Sequence, residues 1–193
     1  MIELNYLKKK LKDTDIFLDV GANIGMFSFY SANFIKKGKI YAIEADPYNF
    51  EKFVKNISLN TIENIFPFNI GVSDKVETLQ LHINNRGNRG GNSFLDLEVG
   101  RPTVDVECRP LLDIVQENRI ERIDGMKIDI EGFEYKVLNK FFKDAPVSLH
   151  PNFIITEFHK SLVEKCGGSI LDLLKSFGYK ILYEDRINFI LEK

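Results

Sequence analysis

The sequence predicts an α/β fold: a doubly wound, mostly parallel sheet that ends in an antiparallel C-terminal hairpin. Three observations predict it. Short apolar runs alternate with segments of helical apolar spacing, the first run closes on the turn Gly21-Ala22-Asn23-Ile24-Gly25, and the last two runs are joined only by Glu184-Asp185-Arg186. Alternating strands and helices imply parallel strands linked by right-handed crossovers, whereas so short a junction reads as a hairpin.

Taken in order, a short polar leader precedes the strand Ile16-Phe17-Leu18-Asp19-Val20, and residues 26–37 carry helical spacing that stops at Gly38. Residues 39–44 read as the second strand. Pro47 suits the first turn of a helix through Leu59, and residues 65–70 form a third strand. The rhythm then changes. Residues 76–83 and 103–108 alternate as extended segments around the polar stretch 84–93, so residues 75–109 read as a hairpin-like insertion within a single domain spanning 1–193. Its Asn-Arg-Gly repeat is too glycine-rich for a regular element and reads as a lid. A helix over 111–118, a strand over 126–130, a helix over 133–142, a strand over 153–157 and a helix over 170–177 restore the α/β pattern, and the runs 179–183 and 187–191 close it.

Composition bounds the function. A chain of 193 residues with 44% hydrophobic content and 16 Phe fills one sizeable core. A formal net charge of −2 gives no electrostatic footprint for nucleic acid or an anionic membrane, and the Lys8-Lys9-Lys10-Lys12 run reads as a solvated face. No apolar run reaches the length of a bilayer span and no secretion signal opens the chain, so a cytoplasmic protein is expected. Cys108 and Cys166 lack metal-ligand spacing and read as reduced and unconnected.

In an open α/β sheet, ligands settle beyond the carboxyl ends of the strands, so the residues just after each strand carry the information. The first strand delivers Asp19 and the turn with Gly21, Asn23 and Gly25, where backbone N–H groups can meet a nucleotide-like ligand. The second ends in Glu44, a carboxylate able to accept both hydroxyls of a ribose. Asn23 and Met26 replace two glycines of the dinucleotide pattern, which weakens a pyrophosphate reading. Asp19, Glu44 and Asp129 instead tolerate a cationic nucleoside such as S-adenosyl-L-methionine.

Several separated motifs resemble those of the FkbM-type family of class I S-adenosylmethionine-dependent methyltransferases, which have Rossmann-like folds. Asp19-Val20-Gly21-Ala22-Asn23-Ile24-Gly25 is similar to the family's first motif, Ala42-Ile43-Glu44-Ala45-Asp46-Pro47 to its second, and Gly71-Val72-Ser73-Asp74 to the segment after its third strand. The most diagnostic stretch, Ile123-Asp124-Gly125-Met126-Lys127-Ile128-Asp129-Ile130-Glu131-Gly132-Phe133-Glu134, resembles the family's Lys-hydrophobic-Asp-hydrophobic-Glu-Gly-x-Glu signature. Ile154-Ile155-Thr156-Glu157-Phe158-His159 and Phe177-Gly178-Tyr179 agree with it, so the resemblance runs from about Asp15 to the C-terminus.

The resemblance implies O-methylation of a small molecule or glycan, with Asp19, Gly21, Asn23, Gly25, Glu44, Ser73, Asp74 and Asp129 around S-adenosyl-L-methionine. Relatives often carry extra helices before the first strand, so the substrate cap is expected from elsewhere, the 84–93 loop among the candidates. An alcohol acceptor needs its proton removed, which nominates Asp129, Glu131, Glu157 and His159, not ranked among themselves. Glu134 reads as a helix cap. Lys127 shares a strand face with Asp129 and either pairs with it or points to solvent. No metal is expected. The alternatives are a nicotinamide-dependent oxidoreductase and a non-catalytic nucleoside-binding module.

Overall fold

The computed structural model describes residues 1–84, 89–96, 100–158, 165 and 167–193. Its ten strands and six α-helices, among the described residues, follow the order α1 (Ile2–Lys10), β1 (Ile16–Val20), α2 (Met26–Ala32), β2 (Lys39–Glu44), α3 (Pro47–Asn60), β3 (Ile65–Asn69), β4 (Gly71–Ser73), β5 (Glu77–His82), β6 (Thr103–Pro110), α4 (Leu111–Glu117), β7 (Gly125–Ile128), α5 (Glu134–Asp144), β8 (Phe153–Glu157), α6 (Ile170–Ser176), β9 (Lys180–Asp185) and β10 (Asn188–Glu192).

Seven strands form the main sheet in the order β3-β2-β1-β7-β8-β10-β9. β3, β2, β1, β7 and β8 are parallel, while β10 runs antiparallel to both β8 and β9. The chain winds outward from β1 to β3 and then restarts beside β1 with β7. The crevice between β1 and β7 is therefore the switch point where this class of sheet binds its ligands.

Period-2 alternation divides each strand between two cores. Leu18, Val20, Met126, Ile128 and Ile154 pack under α4, α5 and α6. Phe17, Ile40, Ala42, Phe153 and Ile155 pack under α1, α2 and α3 with Leu7, Ile35 and Phe53. Asp19 and Lys127 share the face of Phe17 and Gly125, so both polar groups lie under α2. Their backbones are direct partners in the β1–β7 register.

Three parts of the fold differ from the sequence expectation. The polar leader is a helix, held because Leu7 is buried and Tyr6 donates to Glu192 at 2.5 Å. The second helix stops at Ala32 instead of Lys37, because the N–H groups of Lys36, Lys37 and Gly38 turn away to the Asp13 carbonyl at 2.9–3.0 Å. The insertion is more than a hairpin: β4 pairs parallel to β6 and β5 antiparallel to it, which makes a separate three-stranded sheet.

Candidate active site

A cleft of about 680 Å³ opens at the carboxyl ends of β1, β2 and β7. Gly21, Asn23, Glu44, Asp129, Glu131 and Glu157 all line it, so six expected residues from four distant segments converge. Gly21 leaves β1 at φ +80°, and a Cβ there would stand 1.9 Å from the Asp129 carbonyl oxygen. The glycine is thus required by the close approach of two backbones, not only by a ligand. Asn23 is left-handed at φ 53°, and its N–H donates to Glu44 Oε2 at 2.7 Å. The other carboxylate oxygen of Glu44 accepts the Asp46 N–H at 2.9 Å. Burial raises the Glu44 carboxyl above its ordinary value, and these two N–H groups oppose the shift. Glu44 therefore braces the glycine turn while facing the cleft.

Behind the turn, Asp19 is fully buried. Its Oδ2 accepts the Ser28 hydroxyl at 2.6 Å, and its Oδ1 stands 4.0 Å from the Lys127 ammonium, with no hydrogen bond among the described residues. Lys127, only 6% exposed, donates to the Gly21 carbonyl at 2.8 Å and pairs with Asp129 at 3.4 Å. Burial works against its charge, but Asp129 and Asp19 outweigh burial and hold its proton more tightly than usual. One cation thus ties the ends of β1 and β7 together. Of the two sequence alternatives for Lys127, the pairing holds and the solvent-facing one does not.

The loop after β7 is shaped by Glu134, whose carboxylate accepts the N–H groups of Ile130 at 2.8 Å and Gly132 at 2.9 Å. These donors precede α5, so Glu134 braces the loop that leads into the helix, and the helix itself has no side-chain cap. The loop holds Glu131 in the left-handed region at φ 52°, a conformation costly for a residue with a Cβ. Burial, reinforced by Asp129 and Glu157, pushes the Glu131 carboxyl up to about 7.

Four expected cofactor residues stand off this lining. Asp19 and Gly25 lie behind it, and Gly25 starts α2 at φ +97°, where a Cβ would meet the Phe53 ring at 2.2 Å. Ser73 and Asp74 face the small sheet: the Ser73 hydroxyl donates to Glu77 at 2.6 Å and Asp74 pairs with Lys136 at 3.2 Å. β4 pairs with β6, so the Ser73 hydroxyl is engaged by Glu77 of β5 and Asp74 by Lys136 of α5. His159 lies outside the described residues, as does Arg86.

The described end of the 84–93 loop reaches the same cleft. Gly90 and Asn92 line it with Phe94. Asn92 donates to Asp46 at 2.8 Å and the Ser93 hydroxyl donates to the Glu131 carbonyl at 2.6 Å. These residues were not legible as site residues, because nothing in a polar loop marks its anchor points. A second cleft of about 600 Å³ adjoins the first and shares Met26, Phe27, Lys127, Asp129 and Glu157 with it. Its outer wall comes from α1, β9 and β10. The N-terminal segment thus forms part of the wall of this second cleft.

A switch-point cleft with a glycine turn, an acidic β2 terminus and carboxylates after β7 defines a Rossmann-like α/β fold shared with class I methyltransferases. One solved example is SMU.1697c of Streptococcus mutans in complex with SAH, which superposes with a TM-score of 0.59 at 10% identity, covering 98% of this chain and 93% of that one. A family model described as "Methyltransferase FkbM domain" matches residues 19–181, and the chain belongs to that family. Methyltransferase sdnD of Sordaria araneosa is 30% identical over 157 residues, 66% of this chain and 61% of that protein. Hexuronic acid methyltransferase AglP of Haloferax volcanii is 24% identical over 162 residues, 84% of this chain and 63% of that protein. The chain therefore spans about three fifths of the length of these curated relatives. No helix among the described residues is long and apolar enough to cross a membrane.

Proposed function

We propose that this chain binds S-adenosyl-L-methionine in the first cleft and methylates a hydroxyl of a small molecule or glycan held in the second. The observation that carries the reading is the shared wall: two clefts of ligand size meet at Lys127, Asp129 and Glu157. The first suits the cofactor chemically. Ile43, Ile70, Leu81 and Phe94 offer apolar walls to a purine, and the Glu44 oxygens, each accepting one N–H, keep lone pairs for ribose hydroxyls. Asp129 and Glu131 place negative charge where a sulfonium would sit. Relatives named as methyltransferases, one of them acting on a hexuronic acid, support the reaction class and a sugar-like acceptor. Nothing in the cleft favours the nicotinamide or non-catalytic alternatives.

The bound cofactor would supply an electrophilic methyl group, and the protein's part is to align the acceptor oxygen in line with it and to receive a proton. Glu131 is our candidate base. A carboxyl titrating at about 7 is matched to proton transfer near neutrality, and the cause of that match is its burial beside Asp129 and Glu157. Asp129, neutralised by Lys127, is assigned to positioning, and Glu157, which lines both clefts, to orienting the acceptor hydroxyl. Incubation with methyl-labelled S-adenosylmethionine and a panel of hydroxylated metabolites and sugars tests the proposal. O-methyl product identified by NMR supports it. Label on nitrogen or carbon, or no transfer to any hydroxyl, refutes it.

A further inference from the structure

The second cleft has a charge pattern that bears on which acceptors it admits. Its lining contains Glu3, Asp129, Glu157 and Asp185 against one basic side chain, Lys127. Lys127 is already committed to the Gly21 carbonyl, Asp129 and Asp19, with its ammonium also 5.4 Å from the centre of the Phe27 ring. Met1 lines the cleft as well, and its α-amino group is a second cation there, so four carboxylates face two cations.

Glu3 adds an independent observation. It is 9% exposed, yet its carboxylate accepts no hydrogen bond and has no cation at ion-pair distance among the described residues. Asp185 lines the same cleft. Burial, and after it the charges of Asp185 and Glu3, raise the Tyr183 hydroxyl above its ordinary value, and all three side chains line the cleft.

We propose that the second cleft takes an acceptor with a protonated amine near the hydroxyl to be methylated, an amino sugar or amino alcohol, with Glu3 and Asp185 holding the ammonium. This rests on the methyl-transfer reading above and deepens it. It also separates this chain from enzymes whose acceptor bears a carboxylate, because a sugar acid would add negative charge to a cleft whose carboxylates already outnumber its cations.

The test uses the full chain saturated with S-adenosylhomocysteine for calorimetry, and with labelled S-adenosylmethionine for transfer. Glucosamine, N-acetylglucosamine, glucose and glucuronic acid serve as probes. Glucosamine is expected to bind at least about tenfold tighter than the two neutral sugars, with glucuronic acid weakest. Glu3→Gln and Asp185→Asn should each reduce that preference about threefold or more without changing S-adenosylhomocysteine affinity. Asp185 is exposed, so its variant remains informative should Glu3→Gln fail to fold. Equal or tighter binding of neutral or acidic sugars, no sugar binding at all, or a preference untouched by both variants overturns the proposal. Amine-selective binding without methyl transfer would retain the ligand class and remove the proposed reaction. Transfer to glucose or glucuronic acid in preference to glucosamine would do the reverse.

Discussion

Replacing Glu131 by glutamine separates a working base from a merely buried acid. The Glu131 carboxyl is raised from an ordinary 4.5 to about 7, with burial the largest cause and Asp129 and Glu157 next. A carboxyl whose folded value is raised favours the folded state while protonated. Its contribution is fully present below about 4.5 and is lost as pH rises through about 7. The full shift is reduced because the side chain is partly open to solvent, leaving about 1–2 kcal/mol. A glutamine side chain cannot ionise, so Glu131→Gln should unfold at higher urea than wild type at pH 8, by about that amount, and match it near pH 4.5. In the same protein, methyl transfer by wild type should rise with pH to a plateau with an apparent pKa near 7. The variant should lose about 10²–10⁴ in kcat with S-adenosylmethionine affinity nearly kept. Unchanged stability at pH 8 would show that no raised carboxyl exists at this position. An unchanged pH–rate profile would move the base to Glu157, Asp129 or His159.

Three further outcomes follow from the same geometry. Glu44→Ala strands the buried N–H groups of Asn23 and Asp46, so urea denaturation of the ligand-free protein should show a loss of about 1–3 kcal/mol; calorimetry should show weaker cofactor binding, and an unaltered unfolding midpoint would refute the bracing role. Gly21→Ala sets a Cβ against the Asp129 carbonyl at φ +80°, which should cost several kcal/mol or abolish soluble expression; a well-folded variant defective only in binding would contradict this packing. Asn92→Ala removes the tie to Asp46 and should weaken cofactor affinity severalfold by calorimetry, whereas a loop serving only the acceptor would leave that affinity untouched.

How much of this was written in the sequence differs from one residue to the next. The main-sheet strands were legible because each is a buried apolar run bounded by a turn residue. Gly21, Asn23, Glu44, Asp129, Glu131 and Glu157 were legible because chemistry in this sheet class collects just beyond strand ends. β4 was not, since three residues, Gly71–Ser73, are too few to show a period. Without that strand, the partners of Ser73 and Asp74, Glu77 of β5 and Lys136 of α5, could not be known.

The sequence by itself determined the order of elements, the sheet class and the acidic residues at the strand ends, because period and turn chemistry are local properties of the chain. Only the tertiary structure decided which of those residues meet. Lys127 was ambiguous in sequence between an ion pair and solvent, and the pairing of β7 with β1 brings it 2.8 Å from the Gly21 carbonyl, 106 positions away. Likewise Glu3, in a segment read as a polar leader, becomes a wall of the second cleft only because α1 packs beside α2 and Tyr6 bonds Glu192 of the last strand. Contacts at such separations depend on how the strands are ordered and which faces the helices cover, and no local pattern in the chain encodes that ordering.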